Sequence, residues 1–118
     1  MAPLAFDTAL TSAGDALIAL SGELDLSGAP ALDDEIARLA ASDAVQQVVL
    51  DLRGLEFLDS SGLRAVALAD RRLAEGGRRL VLVRGAETVH RVFEITRMEE
   101  RLAFVDSPEA LDGAEGHP

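Results

Sequence analysis

At 118 residues and 48% hydrophobic content, the chain is long enough for one domain with a single core, and no apolar run approaches the length that crosses a bilayer. It has no cysteine, which excludes disulfides and thiolate metal sites, and no lysine, which excludes a phosphate loop of the Gly-Lys type. Its 21 acids outweigh 11 bases, every one an Arg, and the first 45 residues set eight acids against Arg38 alone. A chain with net charge −10 is repelled by phosphate backbones, so no direct nucleic-acid partner is expected. No basic stretch followed by an apolar one opens the sequence, and a cytoplasmic domain is the expectation.

In chain order, strand and helix signals alternate. Leu4 to Leu10 reads as a weak edge strand, Ser12 to Asp15 as a turn, and Ala16 to Leu20 as a second strand, so the first two form a hairpin. Gly22-Glu23-Leu24-Asp25 ends that strand. Ser27 or Gly28 then caps a helix with Pro30 in its first turn and an apolar stripe at Leu32, Ile36, Leu39 and Ala40. Asp33, Asp34 and Glu35 are read as crowding its positive end. Val45 to Leu52 is the central strand. Leu63 to Glu75 is the second helix, with Leu63, Val66, Ala67, Leu73 and Ala74 on its apolar side and Gly76-Gly77 as its stop.

Arg79 to Arg84 reads as a strand, Thr88 to Thr96 as a third helix with Val89, Val92 and Phe93 inward, and Leu102 to Val105 as a short last strand. Ser107 and Pro108 open a final helical turn through Leu111, and Gly113 to Pro118 is a polar tail expected to fray. Residues 1–112 are thus the domain and 113–118 the tail. Helical segments between strands imply crossover connections and a largely parallel sheet.

The centre of this organisation is Asp59-Ser60-Ser61-Gly62, held between the central strand and the second helix. Short polar residues there accept hydrogen bonds from the first free N–H groups of a helix, so plain capping explains much of the pattern. Ser61 is assigned the cap, which leaves Ser60 free. Asp59 is either a second capping acid or a group that orients the Ser60 hydroxyl. Gly62 either relieves the backbone or lets another protein approach. Glu23 and Asp25 either cap the first helix or share an acidic contact surface with Asp59. Arg64, Leu68 and Arg71 project away from the apolar stripe, and a leucine exposed between two arginines is an interface signal.

Taken together, Gly22-Glu23-Leu24-Asp25, Val49-Leu50-Asp51-Leu52, Phe57 to Leu63 and Val89 to Ile95 resemble the STAS domains of anti-sigma factor antagonists, in order and separation, over nearly the whole chain. The resemblance implies an α/β fold: a mixed, largely parallel sheet of about five strands with about four helices packed against it. It also implies a bacterial regulator that is not an enzyme and needs no cofactor. In such proteins the unmodified form binds a serine-kinase anti-sigma factor, which frees a sigma factor. The kinase then switches binding off by phosphorylating the first serine of the motif, here Ser60, and a serine phosphatase reverses it. The partner-binding residues so implied are Glu23, Asp25, Asp59, Ser61, Gly62, Arg64 and Leu68. Two departures stand out. Arg97-Met98 occupies a place where members carry Gly and Leu, so Arg97 must end the helix differently or adopt a costlier backbone. Pro30 replaces a common acid.

Enzyme readings fare worse. A serine hydrolase needs a Gly-x-Ser-x-Gly elbow and a base, and the first glycine is missing from Leu58-Asp59-Ser60-Ser61-Gly62. A phospho-aspartate receiver at Asp51 or Asp59 needs a lysine. With only His90, read as a solvated mid-helix residue, and His117, no metal cluster is visible. The alternative is a stand-alone STAS subunit of a stress-sensing assembly or of a membrane lipid-transport complex.

Overall fold

A computed structural model describes residues 2–111 of the chain. Five strands, β1 (Ala5–Leu10), β2 (Asp15–Leu24), β3 (Gln47–Leu58), β4 (Arg79–Val83) and β5 (Ala103–Val105), form one sheet in that order. β1 and β2 make the expected antiparallel hairpin, with Phe6 opposite Leu20, and every later pairing is parallel. The crossovers are α1 (Ala29–Ala40), α2 (Ser60–Glu75) and α3 (Glu87–Ile95), the last followed by a 3-10 turn at Met98–Glu100. The described residues therefore hold three α-helices and a 3-10 turn, not about four helices. After Ser107 and Pro108 the chain has only begun to coil, at Ala110 and Leu111, where the described residues end. The polar tail, 113–118, lies outside them.

Alternation along the strands sorts side chains onto two faces. Ile18, Leu50 and Leu82 point to the main core, where they meet Leu32 and Ile36 of α1, Val66 and Leu73 of α2, and Phe93 of α3. The opposite face carries a smaller cluster, Val49, Val81, Val83 and Leu111. On that second face Asp51 accepts hydrogen bonds from Arg53 at 2.8 and 2.9 Å, and the guanidinium holds its carboxyl below the usual range.

β3 continues six residues beyond Leu52, the end expected from sequence. Its register against β2 slips twice, between Ala19 and Ser21 and between Gly22 and Glu23. Each extra residue on β3 resets the phase, so that Leu52, Leu55 and Leu58 all reach the core although they are three apart. A period-2 reading cannot follow that pattern and stops at the first slip.

The helices also depart in detail. Asp33, Asp34 and Glu35 sit in the second turn of α1, and no acid occupies the first. Glu35 instead accepts from Thr8 of β1 and pairs with Arg38 at 2.8 Å, which lowers its carboxyl to about 2. The buried stripe of α2 is Gly62, Ala65, Val66, Ala69 and Leu73, with Ala74 exposed and Leu63 and Ala67 half-buried. On α3, His90 is buried at 5% exposure and is not solvated, while Val92 is half-buried. Its Nε2 lies 2.8 Å from Arg84 and 3.1 Å from Glu99, its ring meets the edge of Phe104, and its buried Nδ1 has no partner. Arg97 takes the costlier of its two options, a left-handed backbone at φ 63°.

Candidate functional site

β2 and β3 run side by side, with Leu24 opposite Leu58, so their carboxyl ends deliver two loops to one edge of the sheet. Loops at the carboxyl ends of parallel strands are where such folds place their sites. The loop after β2 is folded by Asp25. Its Oδ1 accepts from the Ser27 hydroxyl at 2.7 Å, the Ser27 N–H at 3.0 Å and the Gly28 N–H at 3.1 Å, and its carbonyl accepts from Gly28 and Ala29. The Ser27 hydroxyl, then the Gly28 N–H, holds the Asp25 carboxyl below its ordinary range. Gly28 is the N-cap of α1 and offers no side chain, so Asp25 does the work of a cap from three residues upstream.

The loop after β3 is a single residue. Asp59 is the N-cap of α2, with extended backbone, and its Oδ1 accepts from the Gly62 N–H at 3.0 Å. Ser61 is not the cap. It lies half-buried in the first turn of α2, and Ser60 is the first residue of that helix, exposed to solvent. Among the described residues the Ser60 hydroxyl has no hydrogen-bond partner.

Gly62 fixes how close the two loops come. A Cβ at this position would sit 2.2 Å from the Leu24 carbonyl oxygen and 2.6 Å from Leu58 Cδ1. Only glycine lets the first turn of α2 press against the end of β2. The same Leu24 carbonyl accepts the Asp59 N–H at 3.4 Å.

The residues singled out from sequence thus fall into two layers. Ser60, Ser61, Arg64 and Leu68 face outward from α2. Ser61, Arg64 and Leu68 line a depression of about 260 Å³ against Leu26, Ala29 and Asp33 of the neighbouring loop and helix. Gly62 is buried beneath them, and Glu23 is buried too, its N–H donating to the Ala2 carbonyl under the N-terminal segment. Asp25 and Asp59 spend their carboxylates on local N–H groups, so they frame the site more than they project from it. Sequence reasoning missed Leu26, 75% exposed at the tip of the β2–α1 loop and facing Leu68, itself 42% exposed. Its signal in the sequence is weak, because Leu26 stands alone in the polar turn Asp25-Leu26-Ser27-Gly28 and single exposed leucines are common; only its pairing with Leu68 in space marks it.

The described residues contain one grouping with metal-ligand chemistry, His90, Glu94 and Glu99, far along the chain from Ser60. Arg84 on the same His90 nitrogen places a fixed positive charge there. No described helix is long and apolar enough to cross a membrane.

Comparison with known proteins agrees with this geometry. Residues 8–106 match the family model described as "Mlab, STAS domain". The anti-sigma-F factor antagonist RsfB of Mycobacterium tuberculosis is 30% identical over 103 residues, spanning 87% of this chain and 84% of RsfB. Among solved structures, the anti-sigma factor antagonist SpoIIAA in its unphosphorylated form superposes with a TM-score of 0.80 at 26% identity, covering 97% of this chain and 99% of that one. The phosphorylated form of SpoIIAA from Bacillus gives 0.72 at 25% identity, over 93% and 99% of the two chains. The chain belongs to the STAS-domain family of anti-sigma factor antagonists.

Proposed function

We propose that this protein is a phospho-switched antagonist: with Ser60 unmodified it binds a serine-kinase anti-sigma factor and so releases a sigma factor, and phosphorylation of Ser60 ends that binding. The observation that carries the reading is the division of labour at the start of α2. Asp59 caps the helix, which leaves the exposed Ser60 hydroxyl unengaged, next in sequence to Ser61 of the Leu26–Leu68 depression. A kinase can take that hydroxyl without breaking any contact of the fold. Ser60 Oγ attacks the γ-phosphorus of ATP, its proton passes to a base of the kinase, and ADP leaves. A serine phosphatase returns the hydroxyl by hydrolysis. The protein is in this scheme a substrate and a binding module, not a catalyst. That relatives are named as anti-sigma factor antagonists, and that one has been solved in both phosphorylation states, supports the partner class.

Physical chemistry fixes the sign of the switch. A phosphate on Ser60 adds about −1.5 to −2 charges near neutral pH. Toward the fold this is benign, because the free N–H groups and dipole of α2 favour an anion by roughly 0.3–1 kcal/mol. Toward a partner it is costly, because a hydrated charge beside Asp59 must be stripped of water at about 2–5 kcal/mol.

Two measurements test this. Incubation with a candidate anti-sigma kinase and ATP, followed by mass mapping, should place the phosphate on Ser60; Ser60→Ala should abolish labelling and Ser61→Ala should retain it. Ser60→Asp should melt within a few degrees of wild type yet bind the kinase roughly 30-fold more weakly or worse. A sharp fall in melting temperature would mean that the switch acts by unfolding. Unchanged affinity with an intact fold would mean that this surface is not the regulated one.

A further inference from the structure

The outer side of α2 borders a second groove, which shares Arg64 and Leu68 with the Leu26 depression and extends from them toward the 3-10 turn. It has a volume of about 390 Å³ and runs between α2 and the segment from the 3-10 turn into β5. Leu68, Met98 and Leu102 supply apolar surface, and Arg64, Arg71 and Arg101 supply charge, with Asp70 as its acid. Arg64, Leu68 and Arg71 repeat at i, i+4 and i+7, one stripe of α2.

What marks this groove is the convergence of three arginines on one apolar floor. The chain has about twice as many acids as bases, and three arginines elsewhere are matched, Arg38 with Glu35, Arg53 with Asp51 and Arg84 with Asp106, while Arg78 donates to backbone carbonyls and Arg72, Arg79, Arg91 and Arg97 make no ion pair among the described residues. Among the described residues, none of Arg64, Arg71 and Arg101 has an ion pair or a hydrogen-bonded acceptor. Asp70 is adjacent in sequence to Arg71 and makes no bridge to it; burial holds its carboxyl above the ordinary range. Three unmatched guanidinium groups therefore rim an apolar floor on an otherwise acidic molecule.

We infer that this groove docks an acidic, amphipathic segment of a partner protein, its apolar side chains on Leu68, Met98 and Leu102 and its carboxylates on Arg64, Arg71 and Arg101. Guanidinium groups bind carboxylates through paired N–H donors, and a floor of leucine and methionine accepts aliphatic side chains of varied shape. A nucleic acid offers anionic charge but no aliphatic face, and the net charge of −10 opposes its approach.

The test uses the full-length protein, labelled with nitrogen-15 and titrated with a short synthetic helix carrying Leu and Glu on adjoining faces. The amides of residues 67–71 and 98–102 should shift, and a peptide with Lys in place of Glu should leave them still. Arg71→Glu with Arg101→Glu replaces two exposed side chains that make no hydrogen bond or ion pair among the described residues, so the melting temperature should hold while affinity for the acidic peptide falls roughly tenfold or more. Raising the salt should weaken wild-type binding and leave the double variant nearly unchanged. The inference is overturned if no shift appears at the groove, if the Lys peptide binds as well, or if the double variant binds undiminished. It is equally overturned if a DNA duplex shifts the same amides more strongly, or if sedimentation shows a self-association that the double variant abolishes, since a second copy would then be the occupant. No kinase enters the titration, so its outcome is separate from that of the Ser60 assignment.

Discussion

At the start of α2 two backbone demands are met by residues suited to them. Gly62 passes under the Leu24 carbonyl, and Asp59 turns its carboxylate onto the Gly62 N–H. At the end of α3 the chain makes the opposite choice. Arg97 turns left-handed at φ 63°, where glycine would be at ease, and three residues into the helix His90 buries an Nδ1 with no partner. Left-handed backbone costs a residue with a Cβ roughly 1–2 kcal/mol, and an unmet buried polar atom about 1–3 kcal/mol. The contrast separates two kinds of surface. The Ser60 end is locally consistent, and under the proposed switch a charge added there would leave the frame in place. The α3 end keeps a side chain that its backbone does not favour, and Arg97 lies beside Arg101 at the margin of the arginine-rimmed groove. Local rules are broken where the surface holds positive charge and kept where the hydroxyl is presented.

The comparison breaks first at Gly62. In Gly62→Ala the new methyl would meet the Leu24 oxygen, part of a strand that cannot retreat without disturbing β3. The expected loss is about 3 kcal/mol or more, read as a lowered denaturation midpoint at unchanged m-value. A variant as stable as wild type would show that the end of β2 is mobile and that the Ser60 frame is not rigid.

A smaller effect sharpens the same side. Asp59→Ala removes the acceptor of the Gly62 N–H and should cost roughly 0.5–2 kcal/mol. Ser61→Ala removes no cap and should stay within about 0.5 kcal/mol of wild type. If the two exchanged magnitudes in chemical denaturation, the cap would be Ser61, and Asp59 would be available to orient the Ser60 hydroxyl.

That reversal of roles shows where sequence stops being legible. The alternation of strands and helices, the hairpin, the parallel sheet and the place of Asp59-Ser60-Ser61-Gly62 were all readable, because each rests on short-range periodicity or on punctuation by Gly and Pro. The cap assignment was not. Asp59 and Ser61 are both good caps, and which one serves depends on where the helix begins. That is set by β3 running on to Leu58, through two register slips that only the pairing with β2 reveals. His90 was misread for a related reason. Its neighbours Phe93 and Phe104 come from α3 and β5, and no local pattern announces that they enclose its ring. The second groove joins residues some thirty positions apart, so Arg71 was seen on its helix face without its counterpart Arg101.

The smallest effect lies at Arg97, and its sign is the informative part. Arg97→Gly relieves the left-handed strain of roughly 1–2 kcal/mol but gives back about 0.5–1 kcal/mol through the greater freedom of glycine in the unfolded chain. The net expectation is a gain of about 0.5 kcal/mol, a rise of a few degrees in melting temperature for a domain of this size. Arg97→Ala keeps the Cβ and its strain, so it should gain nothing. Among the described residues Arg97 makes no side-chain hydrogen bond or ion pair, and no stabilising contact is lost in either variant. A destabilised Arg97→Gly would mean that the arginine side chain contributes to the fold and that the left-handed turn is a packing requirement. A stabilised one would leave the arginine without a structural reason, and then the acidic-peptide titration, repeated on Arg97→Gly, decides whether its charge extends the groove or is merely tolerated beside it.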